Sequence, residues 1–296
     1  MEKALIINYK DVDIQRDDNV ILYNVDFEVH EGEFVYLTGI VGSGKTSLLK
    51  TIYGELDIET GTAQVLDRNM RTIKRRHIPA LRKQLGIVFQ DFRLLPDRNV
   101  RKNLDFVLRS TGWKNRRERA DRISEVLATV GLADKLEAMP YELSGGEQQR
   151  ICIARAILNT PRLILADEAT GNQDAESGIR TTEILYNLSK QGTAVIMATH
   201  NNALLERFPG VVYECRDHRL IRHDGNAPAD ESVSDDSSSV RSNLFAHSNE
   251  VSLEKRPVLE GSSVAERRAG PSVVVEETTD DDDIPVATVA TIPESE

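Results

Sequence analysis

Lys45 and Thr46 close the stretch GIVGSGKT, in which glycines stand at positions 39, 42 and 44. This G-x-x-x-x-G-K-T spacing suits one chemistry. Glycines let successive backbone N–H groups turn inward and converge on an anion. A helix that starts at the lysine adds unpaired N–H donors and the positive end of its dipole. The lysine ammonium is a point charge for the outer phosphates of a nucleotide, and the threonine hydroxyl is a hard ligand for Mg2+. Gly39, Ile40, Val41, Gly42, Ser43, Gly44, Lys45, Thr46 and Ser47 are therefore candidate nucleotide contacts, and Thr46 is also a candidate metal ligand.

Two carboxylates, Asp167 and Glu168, end the run LILADE. Alone, an apolar run ending in Asp-Glu reads as a strand followed by an exposed acidic turn. After a phosphate loop it means more, because ligands of open α/β sheets sit beyond the carboxyl ends of the strands. Adjacent residues at a strand end point in different directions, so the two acids can divide the work. Asp167 is assigned to Mg2+, and Glu168 to orienting and deprotonating water. His200 follows the apolar run AVIMA and Thr199. A lone histidine is more often structural, but one at this edge can hydrogen-bond a terminal phosphate and the water. Gln90 ends the run GIVFQ as its one polar residue. A second anion cradle lies about a hundred residues past the first, where Ser144, Gly145, Gly146 and Glu147 precede a helix-spaced set, Ile151, Ala154, Ile157 and Leu158.

These groups need a particular scaffold. Phe34 to Thr38 reads as a strand entering the glycine loop, with Leu48, Leu49 and Ile52 marking the buried side of the helix that leaves it. Leu163, Ile164, Leu165 and Ala166, and separately Ala194 to Ala198, are unbroken apolar runs. Strands of that kind are buried on both faces of a parallel sheet. The fold class is α/β.

The chain has 296 residues and a net charge of −11, with 16 acidic and 5 basic residues falling in 225–296. Residues 1–224 are therefore neutral, and the acidity belongs to a Ser-rich tail with one aromatic residue, Phe245. Such a composition predicts disorder. Cys152 and Cys215 have neither metal-site nor redox spacing, which fits a reduced, cytosolic chain. There is no apolar run of membrane-spanning length, and MEKALIINYKD lacks the basic start and apolar core of a signal peptide. The basic stretches RTIKRRHIPALRKQLG and WKNRRERADR suit anionic lipid or nucleic acid, but the simpler reading is a solvated face broken by core positions.

LSGGEQQR, taken in order with the phosphate loop, Gln90, LILADE and His200, resembles the ATP-binding subunit of an ABC transporter over about residues 1–224. The resemblance implies a P-loop NTPase of ABC type, with a mostly parallel core sheet, an antiparallel β subdomain and an inserted helical subdomain at about 91–142. It implies ATP and Mg2+ as ligands and hydrolysis of ATP. It also implies a head-to-tail homodimer, in which Ser144-Gly145-Gly146 of one copy closes over ATP held by the other and Asp174 lies at the contact. Gln90 would reach Mg2+ and the attacking water, and the segment after it would touch a membrane subunit.

Three positions depart from the family pattern. No aromatic residue stands in DVDIQRDDN to stack on adenine, so Ile14, Gln15, Arg16 or Tyr9 must cover that face. Ala169 and Gln173 stand where the family commonly has Pro and Leu. FQDFRLLPDRNVRKNLDF resembles the cell-division type of this ATPase, FtsE. That type pairs with FtsX, a four-helix membrane protein whose extracytoplasmic part controls peptidoglycan hydrolases. The implied place is peripheral, on the cytoplasmic face of the inner or plasma membrane. Phe92, Leu94, Leu95 and Arg98 are candidates for the partner groove, with Leu94 and Leu95 equally readable as core. ATPases of lipoprotein release or macrolide export, and a low-turnover scaffold, are the alternatives. A soluble DNA or ribosome ATPase is disfavoured, because there are no heptads, no zinc ligands and no second cassette; no nucleic acid partner is expected.

Overall fold

A computed structural model describes residues 3–17, 19–171 and 173–223; the acidic tail read at 225–296 lies outside the described residues. The chain opens with a long hairpin, β1 (Leu5–Arg16) and β2 (Asn19–His30). Strand β3 (Phe34–Thr38) leads through the glycine loop to α1 (Lys45–Ile52). Next come β4 (Thr62–Val65), β5 (Arg68–Asn69), α2 (Ile78–Arg82) and β6 (Leu85–Val88). Two helices, α3 (Val100–Ser110) and α4 (Arg116–Thr129), precede α5 (Gly145–Ile157) and β7 (Leu163–Asp167). The rest is α6 (Ala175–Lys190), β8 (Ala194–Ala198), α7 (Ala203–Arg207), β9 (Val211–Arg216) and β10 (Arg219–His223).

Two sheets result. One is antiparallel, in the order β2-β1-β4-β5, and the other runs β10-β9-β3-β8-β7-β6. Strands β6, β7, β8, β3 and β9 are parallel, and β10 closes that edge antiparallel. Every residue of β3 and β8 is buried. Alternation divides them between two cores. Phe34, Tyr36, Ile164, Ala166, Val195 and Met197 pack with α3 to α7, whereas Val35, Leu37, Leu163, Leu165, Ile196 and Ala198 pack with α1 and the antiparallel sheet. Helices α1 and α5 therefore lie on opposite faces of the parallel sheet. Full burial of each such aliphatic side chain contributes about 1.5–3 kcal/mol, which is why unbroken apolar runs settle here.

The basic stretch before and within α4 is the solvated face that its composition suggested, with Lys114, Arg116 and Arg117 exposed, broken by two half-buried arginines that anchor it. Arg122 donates from Nε to the Leu158 carbonyl at 2.9 Å and from Nη2 to the Ile157 carbonyl at 2.6 Å. It thereby caps the carbonyl end of α5, where a cation is favoured. Arg119 Nε donates to Asp105 at 2.6 Å and ties α4 to α3. The other stretch is solvated too, with Arg71, Lys74, Arg75 and Arg76 exposed.

Asn103 on α3 is 4% exposed and organises the loop before its own helix. Its Oδ1 accepts from Leu95 N at 2.8 Å, and its Nδ2 donates to the carbonyls of Leu95, Arg98 and Asn99 at 3.1, 2.8 and 3.1 Å. Asn103→Leu leaves these buried groups unpaired. It should lower unfolding free energy by about 2–3 kcal/mol, measured as an earlier urea midpoint with an unchanged slope.

Candidate functional site

The register of the parallel sheet levels the strand ends. Leu37 pairs with Ala198, Ala198 with Asp167, and Ala166 with Val88. The ladder continues past the strands, because Thr199 N donates to Leu37 O and Glu168 N to Ala198 O, both at 3.1 Å. One edge of the sheet thus carries the glycine loop, Asp167, Glu168, His200 and Gln90. Gln90 lies two residues past the end of β6, and both Gln90 and His200 are exposed. The structure gives neither side chain a hydrogen bond.

The loop after β3 can be built only with glycine at its key positions. Gly39 has φ 129°, and a Cβ there would lie 2.4 Å from the Cys215 carbonyl oxygen. Gly44, at φ 105°, takes the N-cap of α1 in a left-handed conformation with no side-chain cap, so the first N–H groups of the helix stay unclaimed. Lys45 is 5% exposed. Its Nζ donates to the carbonyls of Gly39 at 2.8 Å and Ile40 at 2.9 Å. An ammonium has three donors, so the loop fixes Lys45 with two and leaves one for an anion. Ser43 Oγ is buried without a hydrogen-bond partner, an orphan polar atom in the wall of the cradle. These features fit a polyphosphate.

Thr46 and Asp167 meet across the edge, with Thr46 Oγ1 donating to Asp167 Oδ1 at 3.2 Å. Burial raises the Asp167 carboxyl above the usual aspartate range, and the Glu168 charge adds to it. The Thr46 bond and the Lys45 and Lys50 charges oppose that shift. A hydroxyl beside a carboxylate is a hard-oxygen pair that suits Mg2+ better than a soft metal. Glu168 has φ 45°, in the left-handed region. It is held there from both sides, by its own N–H on Ala198 and by Gly171 N donating to its carbonyl at 3.0 Å.

The second cradle is a capping box. Ser144 Oγ accepts from Glu147 N at 3.3 Å, and Glu147 Oε2 accepts from Ser144 N at 2.8 Å and from its hydroxyl at 2.9 Å. The Ser144 N–H holds Glu147 below the usual glutamate range, with Lys135 at 3.3 Å adding to it. Glu147 thus serves the helix start. Gly146 packs on the first turn of α6, where an added Cβ would lie 2.7 Å from Ser177 Oγ. Since α5 and α1 cover opposite faces of the sheet, one chain does not bring its two cradles together.

The segment after Gln90 is held by residues that sequence reasoning did not single out. Phe92 and Arg93 have φ 32° and 52°. Arg155, on α5, donates to their carbonyls at 2.7 and 2.5 Å, and the Cys152 S–H donates to Phe92 O at 3.0 Å. Burial pushes the Cys152 thiol up to about 11, so it stays protonated. No periodicity signals such a clamp. Of the groove candidates, Phe92 and Leu94 pack against the core, Leu95 is half-buried, and Arg98 lies 5.2 Å from the centroid of the half-exposed Phe106 ring. On the adenine side, two of the four candidates are withdrawn. Tyr9 and Ile14 are wholly buried, and the Tyr9 hydroxyl lies 3.3 Å from Thr51 Oγ1. Gln15 and Arg16 remain, at the end of a hairpin whose Ile21 and Leu22 lean on Gly44.

Residues 22–171 match the family profile described as ABC transporter. The chain is 40% identical over 219 residues to the cell division ATP-binding protein FtsE of Streptococcus pneumoniae, covering 73% of this chain and 94% of that one. It is 40% identical over 205 residues to the FtsE of Mycobacterium tuberculosis, covering 68% and 87%. Among solved structures it resembles a dimeric ATP-binding cassette, MJ0796, in a post-hydrolysis state bound to ADP and Pi. That likeness has a TM-score of 0.66 and 28% identity, and covers 74% of this chain and 98% of that one.

Proposed function

Because the chain belongs to the ABC transporter family of ATP-binding proteins, we propose that it is the ATP-hydrolysing subunit of a cell-division complex, working on a membrane subunit of FtsX type. Its fold is the ABC form of the P-loop NTPase, a mostly parallel sheet with an antiparallel β subdomain and a helical insertion. The observation that carries the catalytic reading is the Thr46–Asp167 pair beside a glycine cradle with an orphan hydroxyl. Lys45 and the N–H groups of α1 bind and orient the phosphates. Thr46 and Asp167 would hold Mg2+, with Gln90 swinging in from its exposed place; when bound, the ion neutralises charge on the outer phosphates. Glu168 orients water in line with the terminal phosphate and takes its proton, and His200 donates to that phosphate.

The two cradles on opposite faces favour a head-to-tail homodimer, in which each Ser144-Gly145-Gly146 completes the other copy's site. Among the described residues no helix is long and apolar enough to cross a membrane; in the proposed complex the membrane subunit holds the chain at the membrane. The cell-division assignment is supported by the FtsE relatives, and the proposal includes a peripheral position on the cytoplasmic face of the membrane.

Partner capture from native membranes tests this, using full-length Glu168→Gln protein with ATP and mass spectrometry of what is retained. A four-helix membrane protein with one extracytoplasmic domain is the expected result. An export permease of the lipoprotein-release or macrolide type would keep the ATPase and overturn the cell-division assignment. Retention of no membrane protein would overturn the coupling.

A further inference from the structure

The turn that carries Glu168 is tied to the body of the protein by a side chain with no assigned role. Gln173 Nε2 donates to the Ala169 carbonyl at 2.6 Å, and Gln173 Oε1 accepts from Thr181 Oγ1 at 2.9 Å. Both ends of this bridge are buried, Ala169 at 2% exposure and Thr181 at 0%. Thr181 belongs to α6, a helix whose start is fixed by Asp174, which accepts from Ser177 N at 2.9 Å. The anchor is therefore a capped helix packed against the sheet.

What hangs from that anchor is strained. Glu168 has φ 45°, a conformation that costs a non-glycine residue on the order of 1 kcal/mol and persists only when the surroundings impose it. The next residue, Ala169, brings no ring and no β-branch, so it adds no restraint of its own. Two backbone bonds grip Glu168 itself. The next peptide but one, between Ala169 and Thr170, has the Gln173 amide. A short hydrogen bond to the Ala169 carbonyl limits rotation of that plane and so restrains the turn by which the chain leaves Glu168.

We infer that Gln173 is a positioning residue for hydrolysis, holding the Glu168 turn against Thr181 so that the carboxylate faces the water rather than the solvent. The inference rests on the proposed catalytic role of Glu168. Gln173 itself is assigned no contact with phosphate or water; its amide is engaged by Ala169 and Thr181.

The test uses full-length Gln173→Leu, Thr181→Val and Thr181→Ser. Steady-state kinetics are read beside two measurements that need no turnover: affinity for a fluorescent ATP analogue, and amide exchange of the 168–174 peptide in nucleotide-free protein. Gln173→Leu should lower kcat about tenfold with KM and nucleotide affinity within twofold, and should speed exchange in that peptide. Thr181→Val should act in the same direction more weakly, and Thr181→Ser, which keeps the hydroxyl, should behave as wild type. Unchanged kcat in Gln173→Leu overturns the inference. So does a parallel fall in kcat, affinity and melting temperature, which would show general loosening. So does equal damage from Thr181→Ser and Thr181→Val, which would trace the effect to the threonine methyl. Failure of the underlying reading looks different: wild type binds ATP yet turns it over no faster than Glu168→Gln, and the inference falls with it.

Discussion

Replacing Glu168 by glutamine should lower ATP turnover roughly 100- to 10,000-fold, the usual worth of a positioned general base, while ATP still binds. The substitution keeps the shape of the side chain and its capacity to accept a hydrogen bond. It removes the negative charge and the ability to take a proton from water. The backbone should not respond, because the turn is fixed by the Glu168 N–H on Ala198 O and by Gly171 N on Glu168 O. The neighbouring metal site should gain slightly. The Glu168 charge is one of the influences that raise the Asp167 carboxyl, so removing it favours the ionised aspartate that Mg2+ needs. The expected picture is thus a chain that holds ATP and Mg2+ at least as well as wild type and accumulates as an ATP-bound dimer. Single-turnover hydrolysis and size-exclusion chromatography with and without ATP measure both halves. Wild-type turnover in this variant would remove Glu168 from the chemistry and leave His200 as the next group at the sheet edge.

How far the sequence leads depends on what kind of interaction does the holding. FVYLT, LILAD and AVIMA stand out because a strand buried on both faces must be apolar at every position, and the three observed strands coincide with those runs. The glycine loop stands out because the phosphate chemistry dictates residue types at fixed spacing. Tyr9 was within reach too: strand alternation points it the same way as Ile7, into the core rather than toward a nucleotide. The rest depends on single side chains gripping distant backbone. Arg155 on the carbonyls of Phe92 and Arg93, Arg122 on the end of α5, and Asn103 on its own preceding loop carry no periodicity. In a one-line sequence an arginine that clamps and an arginine that is solvated look alike. Gln173 is intermediate. It was visible as a departure from the family pattern, but the bridge from Ala169 to Thr181 required the folded turn.

Lys45→Ala should raise the dissociation constant for ATP about 100-fold, near 2.7 kcal/mol, and should do so without unfolding the protein. The effect has two parts. One is the loss of the cation that faces the outer phosphates. The other lies in the loop itself, since Lys45 Nζ is hydrogen-bonded to the carbonyls of Gly39 and Ile40. Without it those carbonyls lose the donor that fixes them, so the cradle loses pre-organisation as well as charge. Lys45→Arg should recover little of the binding, because a planar guanidinium cannot satisfy two carbonyls of a tight loop and still present a compact charge to phosphate. Stability should scarcely change. The carbonyls that are released lie in a loop with exposed neighbours, Ile40 and Val41, and water can replace the lost bonds. Isothermal titration with ATP and Mg2+, set beside the melting temperature of the nucleotide-free protein, separates binding from folding. A weakened affinity with an unchanged melting temperature is the expected pair. Wild-type affinity in Lys45→Ala would mean that the N–H groups of the loop and of α1 hold the phosphates without the lysine, and the roles proposed for Thr46 and Asp167 would then need an independent test.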